Sequence, residues 1–218
     1  MASSDFEVRL IAVGLRTHLP SIALDVARAA VGFGRDGLTG FDIAGIEKDA
    51  PDPRRFTEAF EAAREGGLGI TCHAGEWGGA AQVRDALTID PWRIAHGAPA
   101  ADDAALMDEL RAREVTLDIC PTSNLQAGIG SDDTDAPLPR LLRAGVPVTV
   151  NTDDRTVSDL TLVRELERAI RRLGVSPAEV VGAMRQAYRS AFLHLDEERR
   201  SALQRDFESW IAEHPAPG

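Results

Sequence analysis

The sequence alternates short apolar runs with amphipathic helix patterns, and this alternation restricts the fold more than any other feature. Six runs have the length and composition of strands buried on both faces, and they span residues 9–14, 40–45, 69–75, 93–97, 115–121 and 147–154. A repeated βα unit of this kind forms either an open, doubly wound sheet or a closed parallel barrel. Periodicity alone does not distinguish the two.

The segments between the runs carry helix signals. Apolar residues stand at positions i, i+3, i+4 and i+7 from Phe56 to Ala63, after an Asp-Pro pair and before a Gly-Gly pair. Ser176, Pro177 and Glu179 have the spacing of a capping box that opens a later helix. Residues 196–213 predict a last helix that docks through one face, formed by Leu203, Phe207, Trp210 and Ile211.

Charge and composition exclude several classes of protein. The chain has 24 Lys and Arg against 35 Asp and Glu, a net charge of −11, which disfavours binding to nucleic-acid phosphate. No run approaches the roughly 20 apolar residues of a membrane helix, and the amino end lacks a signal-peptide pattern. Cys72 and Cys120 lie in apolar segments, as reduced thiols do. We therefore predict one domain over residues 1–218, cytoplasmic, with neither nucleic acid nor membrane as a partner.

Polar residues end nearly every apolar run. They are Asp42, His73, His96, Asp118 and Asp153. A ring of strand ends that converge on one pocket is typical of a parallel barrel, whereas an open sheet concentrates its ligands at one switch point. The sequence therefore favours a TIM-type (β/α) barrel.

Three of these strand ends carry groups suited to catalysis. His73 is followed three residues later by Glu76, which suits a metal ligand beside a general acid, although such pairs are often only hydrogen-bonded. His96 ends the next run. Asp153 and Asp154 end the last one, where alternation sends them to different faces, unless they form a plain acidic turn.

Taken together, these motifs resemble the adenosine/AMP deaminase family in order and spacing. The resemblance rests on HAGE at 73–76, RIAHG at 93–97, CPTSN at 120–124 and NTDD at 151–154, with GFDIAG at 40–45 similar to a further family motif. It implies a TIM-type barrel with one zinc ion, Zn²⁺. It also implies hydrolytic deamination of a purine nucleoside, in which adenosine gives inosine and ammonia.

The resemblance also implies residue roles. His73 would be a zinc ligand, and Asp153 a second ligand that touches the attacking water. Glu76 would protonate the purine ring, and His96 would orient the hydroxide. The Gly45 amide and Asp154 would bind other purine nitrogens, with Asp42, Ser123 and Asn124 in support.

The physical chemistry is consistent with these roles. Zinc lowers the pKa of bound water from 15.7 toward about 7, and an aromatic amine leaves readily only when the ring nitrogen is protonated. A carboxyl group with a raised pKa in a closed pocket would suit Glu76.

The chain departs from the family pattern in one respect. The family carries a His-x-His pair on its first barrel strand, and none of the five histidines here lies two residues from another. We therefore expect six of eight βα units and a C-terminal helical tail, with two zinc ligands against the usual three. A fragment, a misassigned start, a partner chain and a decayed homologue would each explain this pattern. His18 could be a replacement ligand or a surface residue, and His194 and His214 are expected to lie outside the chemistry.

Three functions follow from these residues. The first is the zinc-dependent deaminase. The alternative is a truncated or inactive deaminase-like chain that binds purines or a partner, and either form could associate with a partner chain or itself to complete the barrel. A more general amidohydrolase is less consistent with the sequence, because that superfamily's bridging lysine is not visible and Lys48 is the only lysine.

Overall fold

The computed structural model describes residues 8–48, 52–193 and 197–215, and within them six strands form one parallel sheet. The strands pair in the order of the sequence. A doubly wound sheet would reverse its order at a switch point, whereas a barrel adds each strand beside the previous one. The predicted fold class, a partial TIM-type barrel with a C-terminal helical tail, is confirmed. The strands are β1 (Leu10–Leu15), β2 (Leu38–Ala44), β3 (Gly69–Ala74), β4 (Arg93–His96), β5 (Thr116–Ile119) and β6 (Val148–Val150).

Helices connect consecutive strands and continue after the last one. They are α1 (Pro20–Gly32), α2 (Thr57–Glu65), α3 (Gly79–Ala86), α4 (Ala104–Ala112), α5 (Pro121–Gln126), α6 (Pro137–Arg143), α7 (Leu162–Arg171), α8 (Pro177–Ser190) and α9 (Glu197–Glu213). Among the described residues, no helix combines the length and apolar character needed to cross a bilayer.

The last two strands are shorter than the predicted runs 115–121 and 147–154. Pro121 begins α5 at the end of the fifth run, because proline is accommodated at the first helical position. Residues 151–154 leave the sheet and form a loop. The fifth run is therefore part strand and part helix start, and the sixth is part strand and part loop.

The strands bury side chains on both faces, as their apolar character predicts. Phe41 and Ile43 of β2 are fully buried, and the Phe41 ring packs edge-on against Phe60 of α2, with centroids 5.6 Å apart. Asp42, between them in the strand, points to the opposite face, which is the barrel interior.

Phe192, just after α8, fills the end of the barrel interior that lies at the amino ends of the strands. Cβ atoms added at Gly40 and Gly69 would lie 2.7 and 2.3 Å from carbons of its ring, so both strands need glycine there. The Arg93 guanidinium lies 4.9 Å from the ring centroid. The chain therefore returns from α8 to cover the amino ends of β2, β3 and β4.

The helical tail confirms one prediction and corrects another. Ser176 and Glu179 form the predicted capping box at α8. The last helix, α9, contacts α8 through the Phe207 and Tyr188 rings, 4.9 Å apart. Trp210, predicted to pack against the rest of the chain, is instead 55% exposed. Its ring stacks on that of His214, four residues further along the chain.

The sheet has two edges among the described residues, because β1 pairs only with β2 and β6 only with β5. Leu10, Val13 and Leu15 of β1 are each more than 40% exposed. The pairing of Val13 with Asp42 places its side chain on the interior face. One edge therefore presents apolar side chains that a closed barrel would cover.

Candidate active site

The site begins with His73, at the carboxyl end of β3. Its Nδ1 lies 2.6 Å from Asp42 Oδ2 on β2, and its backbone N–H donates to Asp42 Oδ1 at 3.1 Å. Burial opposes a charge on the ring, but the carboxylates of Asp42, Glu76 and Asp153 outweigh burial and raise the pKa of His73 to about 9. The contact with Asp42 also fixes the orientation of the imidazole.

His96 reaches the same site through an unusual backbone conformation. The register pairs His73 with Ala95, so strand alternation would send His96 to the helix-facing side with Ile94. His96 instead has a φ of +67°, which is uncommon for a residue with a side chain. Its ring lies edge-on to that of His73, with centroids 5.1 Å apart.

The His96 ring connects the other predicted catalytic groups. Its Nε2 lies 3.5 Å from Glu76 Oε2 and 4.0 Å from Asp153 Oδ2. Its Nδ1 lies 3.1 Å from Asn124 Oδ1, so the tautomer with a proton on Nδ1 satisfies this contact. Ser123 donates to Asp153 Oδ2 at 2.7 Å. The structure thus brings Glu76, His96 and Asp153 together.

The predicted purine-binding residues lie at the rim of this site. Gly45 follows β2 with a φ of +107°, a conformation that favours glycine. Asp154 is exposed, and its Oδ1 accepts from the N–H groups of Thr156 and Val157 at 2.8 and 2.9 Å, so it shapes the loop after β6. Its contact with substrate stays a prediction.

The remaining histidines contribute no contact to this cluster among the described residues. His18 lies in the exposed turn after β1, as the surface interpretation expects. His214 stacks on Trp210 at the end of α9. His194 lies outside the described residues.

Two buried carboxylates support the site and were missed in the sequence. Glu47, 1% exposed, accepts hydrogen bonds from the backbone of the loop that carries Glu76. Glu165 of α7, fully buried, accepts from the Thr122 backbone N–H at 2.6 Å and from the Thr122 hydroxyl. A signal for Glu165 exists in its spacing, because it lies four residues before buried Ala169 and thus on the inner face of α7.

Arg16, also missed in the sequence, joins β1 to the site. It is 1% exposed, and its Nη2 donates to the His73 carbonyl at 2.6 Å. Its backbone N–H donates to the Ala44 carbonyl at 2.8 Å. An arginine directly after a strand can be a buried hydrogen-bond donor or a surface charge, and the sequence does not distinguish these two cases.

The donors that could hold a metal ion form two overlapping sets. Among the described residues, ligand atoms of His96, Cys120 and Asp153 lie within 4.8 Å of one another. The predicted pair, His73 and Asp153, fits zinc by chemistry, because Asp42 occupies Nδ1 of His73 and leaves Nε2 for a metal, as carboxylate–histidine pairs do in zinc sites. A catalytic zinc commonly has three protein ligands.

Comparison with known proteins agrees with this geometry. The adenosine deaminase family model matches residues 1–208. An adenine deaminase of Rhizobium leguminosarum bv. trifolii is 40% identical over 201 residues, covering 92% of this chain and 62% of the relative. An aminodeoxyfutalosine deaminase of Acidothermus cellulolyticus is 41% identical over 190 residues, covering 81% and 53%.

A solved structure agrees as well. The adenine deaminase from Arthrobacter aurescens superposes with a TM-score of 0.82 at 28% identity, covering 94% of this chain and 62% of that one. The chain thus spans roughly three fifths of the length of the relatives it matches. With its motifs, its parallel sheet and its clustered strand ends in agreement, the chain belongs to the adenosine deaminase family.

Proposed function

We propose that this chain carries the site of a zinc-dependent hydrolase that replaces the exocyclic amino group of a purine by oxygen and releases ammonia. The observation that supports this most is the contact of Glu76 and Asp153 with one imidazole, that of His96. A proton donor, a proton acceptor and a carboxylate around one point suit hydrolysis of an aromatic amine. Relatives that are deaminases support the same reaction class.

Glu76 supplies the proton in this proposal. Its side chain is about one-fifth exposed, at the carboxyl end of the barrel. A carboxyl group there can donate its proton to a purine ring nitrogen. Protonation makes the carbon that bears the amino group more electrophilic, so water adds to it more readily. Water addition and loss of ammonia then leave a carbonyl at that carbon.

His96 supplies the base. Because Nδ1 faces the Asn124 oxygen, Nε2 is the nitrogen that faces Glu76 and Asp153. It can accept a proton from the attacking water, and the two carboxylates stabilise the imidazolium that results. Asn124 would then maintain the tautomer that this step requires.

His73 and Asp153 would hold the zinc ion. Asp42 would keep His73 in the orientation for binding, and Ser123 would do the same for Asp153. Zinc, when bound, makes water acidic enough to supply a nucleophile near neutral pH.

The substrate class in this proposal is a small 6-aminopurine. Adenosine is the substrate that the sequence motifs predict, and the adenine deaminase relatives add the free base as a second candidate. The Gly45 amide and Asp154 would bind ring nitrogens at the rim. Assays with adenosine, adenine and an N6-substituted adenine nucleotide would distinguish these substrates.

We also propose that further polypeptide covers the open edges of the sheet. Three apolar side chains of β1 are exposed, and a parallel sheet of six strands is two short of a TIM-type barrel. Sedimentation of the 218-residue chain tests whether a second copy does this. A monomer that remains folded and active would exclude self-association as a requirement.

Zinc content and deamination together test the proposed function. After dialysis against metal-free buffer, we expect close to one zinc per assembled site by plasma mass spectrometry. Glu76→Gln should abolish turnover and retain zinc, whereas His73→Ala should lower both. Near-normal deamination by Glu76→Gln would refute its role as proton donor, and assembled protein without zinc or activity would favour a non-catalytic binding chain.

A further inference from the structure

Glu47 lies outside the set of predicted catalytic residues, yet it holds the loop that carries one of them. Its carboxylate accepts from three consecutive backbone N–H groups: that of Glu76 at 3.0 Å, that of Trp77 at 3.2 Å and that of Gly78 at 2.6 Å. A carboxylate that accepts several backbone N–H groups is held tightly, because each bond is assisted by its charge.

The burial of Glu47 makes these bonds more important. The residue is 1% exposed, although glutamate is almost never fully buried unless its charge is compensated. Among the described residues, its two oxygens accept hydrogen bonds from the three loop amides. Without them, a buried charge and three N–H groups would lose their partners together.

Gly78 fits closely against this carboxylate. A Cβ atom added there would lie 2.8 Å from Glu47 Oε2 and 2.0 Å from Gln82 Cγ. The short bond from the Gly78 N–H therefore depends on the absence of a side chain. The loop sequence Glu76-Trp77-Gly78 and Glu47 form one unit.

We propose that Glu47 is a positioning residue, which sets the place of the Glu76 carboxyl group by fixing the backbone of residues 76–78. The inference depends on the proposed function for the role of Glu76. Glu76 Oε2 lies 3.5 Å from His96 Nε2, and that distance requires a fixed loop. Glu47 itself does not contact the substrate in this proposal.

Trp77 gives a direct report on the loop. Its own N–H bonds to Glu47, and its ring is 47% exposed. Trp92 and Trp210 are more exposed still, so replacing both by phenylalanine leaves Trp77 as the single tryptophan, excited selectively over tyrosine, at little cost in packing. In that background we expect Glu47→Gln to lower the fluorescence anisotropy of Trp77.

Amide hydrogen exchange provides the main test. An amide side chain at position 47 lacks the charge and directs an NH2 group toward backbone donors. Glu47→Gln should therefore raise the exchange rates at residues 76–78 about tenfold or more. Glu165→Gln is the matched control: it removes a buried carboxylate on the other side of the site and should leave the exchange of residues 76–78 unchanged. Unchanged exchange in folded Glu47→Gln would overturn the inference.

A second pair of variants applies if Glu47→Gln does not fold. Gly78→Ala in a Gln82→Ala background directs its new methyl group at Glu47 alone, and Gln82→Ala by itself is the control. The pair should differ in exchange at residues 76 and 77, which are the same in both proteins, with faster exchange in the double variant. Equal exchange rates would show that the carboxylate contact does not fix the loop.

Kinetics separates this inference from the proposed function. In the assembled, zinc-loaded enzyme, Glu47→Gln should lower kcat with little change in KM, because the proton donor is misplaced while the purine contacts remain. If the unchanged protein deaminates no purine, the proposed function fails and the exchange experiment still tests the loop. Normal kcat in Glu47→Gln, with activity in the parent, would refute the positioning role.

Discussion

The packing of Phe192 against two strand glycines leads to a quantitative prediction about stability. Phe192 is 4% exposed, and its ring occupies the space where a Cβ of Gly69 would lie, 2.3 Å from Cδ1. Phe192→Ala should cost about 3–5 kcal/mol, because it removes a buried ring and leaves a cavity. Gly69→Ala should cost about 1–3 kcal/mol, because the methyl group overlaps the ring.

The double variant tests whether these two effects share one cause. Once the ring is removed, the methyl group introduced by Gly69→Ala enters vacated space, so its cost should fall close to zero. The coupling free energy should then be about 1–3 kcal/mol, in the range expected for residues in contact. Urea unfolding followed by far-UV circular dichroism measures each free energy, with Trp92 fluorescence as a second probe near the ring.

Gly182→Ala is the matched control for this cycle. Gly182 lies inside α8, and a Cβ there meets nothing within 4 Å. The substitution should raise stability by about 0.5–1 kcal/mol, because alanine is the better helix former. Additive costs for Phe192→Ala and Gly69→Ala, within about 0.5 kcal/mol, would show that the ring does not occupy the space next to Gly69.

Other features lead to further predictions. Cys72 and Cys120 are 0% and 6% exposed, so iodoacetamide should label neither until the protein unfolds, and rapid labelling in native buffer would contradict their burial. Ser176→Ala should cost about 1 kcal/mol in urea unfolding, because it removes the side-chain cap of α8. Hydrogen bonds from Ser176 hold the pKa of Glu179 in the folded protein below its ordinary value. The stabilisation that Glu179 gives the folded state is therefore complete above the pKa of the unfolded state, and it is lost as the pH falls through the lower pKa of the folded state. A Glu179→Gln variant should lose this dependence of stability on acid pH.

The sequence predicted the fold because every strand and helix signal agreed with its neighbours. Six apolar runs separated by amphipathic helices allow few topologies, since parallel neighbours require crossover connections. Polar strand ends then favoured a barrel, and the sequential strand order confirms it. Phe192 could not be predicted, because a single aromatic residue after α8 has no periodic partner that reveals where it packs.

The contacts around His73 follow from register. Asp42 and His73 both point to the interior face near the carboxyl ends of neighbouring strands, and His73 lies two residues beyond the position opposite Asp42. A sequence that predicts both strands therefore also brings the two side chains close together. The supporting carboxylates differ in this respect. Glu47 lies in the loop after β2, beyond any periodic pattern, and its three N–H partners come from another loop. Contacts between loops depend on backbone paths that periodicity does not describe.

The His96 site depends on backbone conformations that strand alternation does not predict. Among the described residues, five that are not glycine have a positive φ, and His96 and Asp153 are two of them. Such conformations cost free energy and persist only where surrounding contacts hold them. Here both side chains are held by α5, through Asn124 on His96 and Ser123 on Asp153.

The short helix α5 therefore governs how closely His96, the proposed base, approaches Asp153, the proposed metal ligand. Its start is fixed in turn by buried Glu165, which accepts both donors of Thr122. Residues of α5 that take no part in the proposed proton transfer thus help to hold His96 Nε2 and Asp153 Oδ2 4.0 Å apart, the separation that the proposed water activation requires. In this chain, the strands bring the predicted catalytic residues to one end of the sheet. Two buried carboxylates, one in the loop after β2 and one in α7, hold the segments that set the distances between these residues.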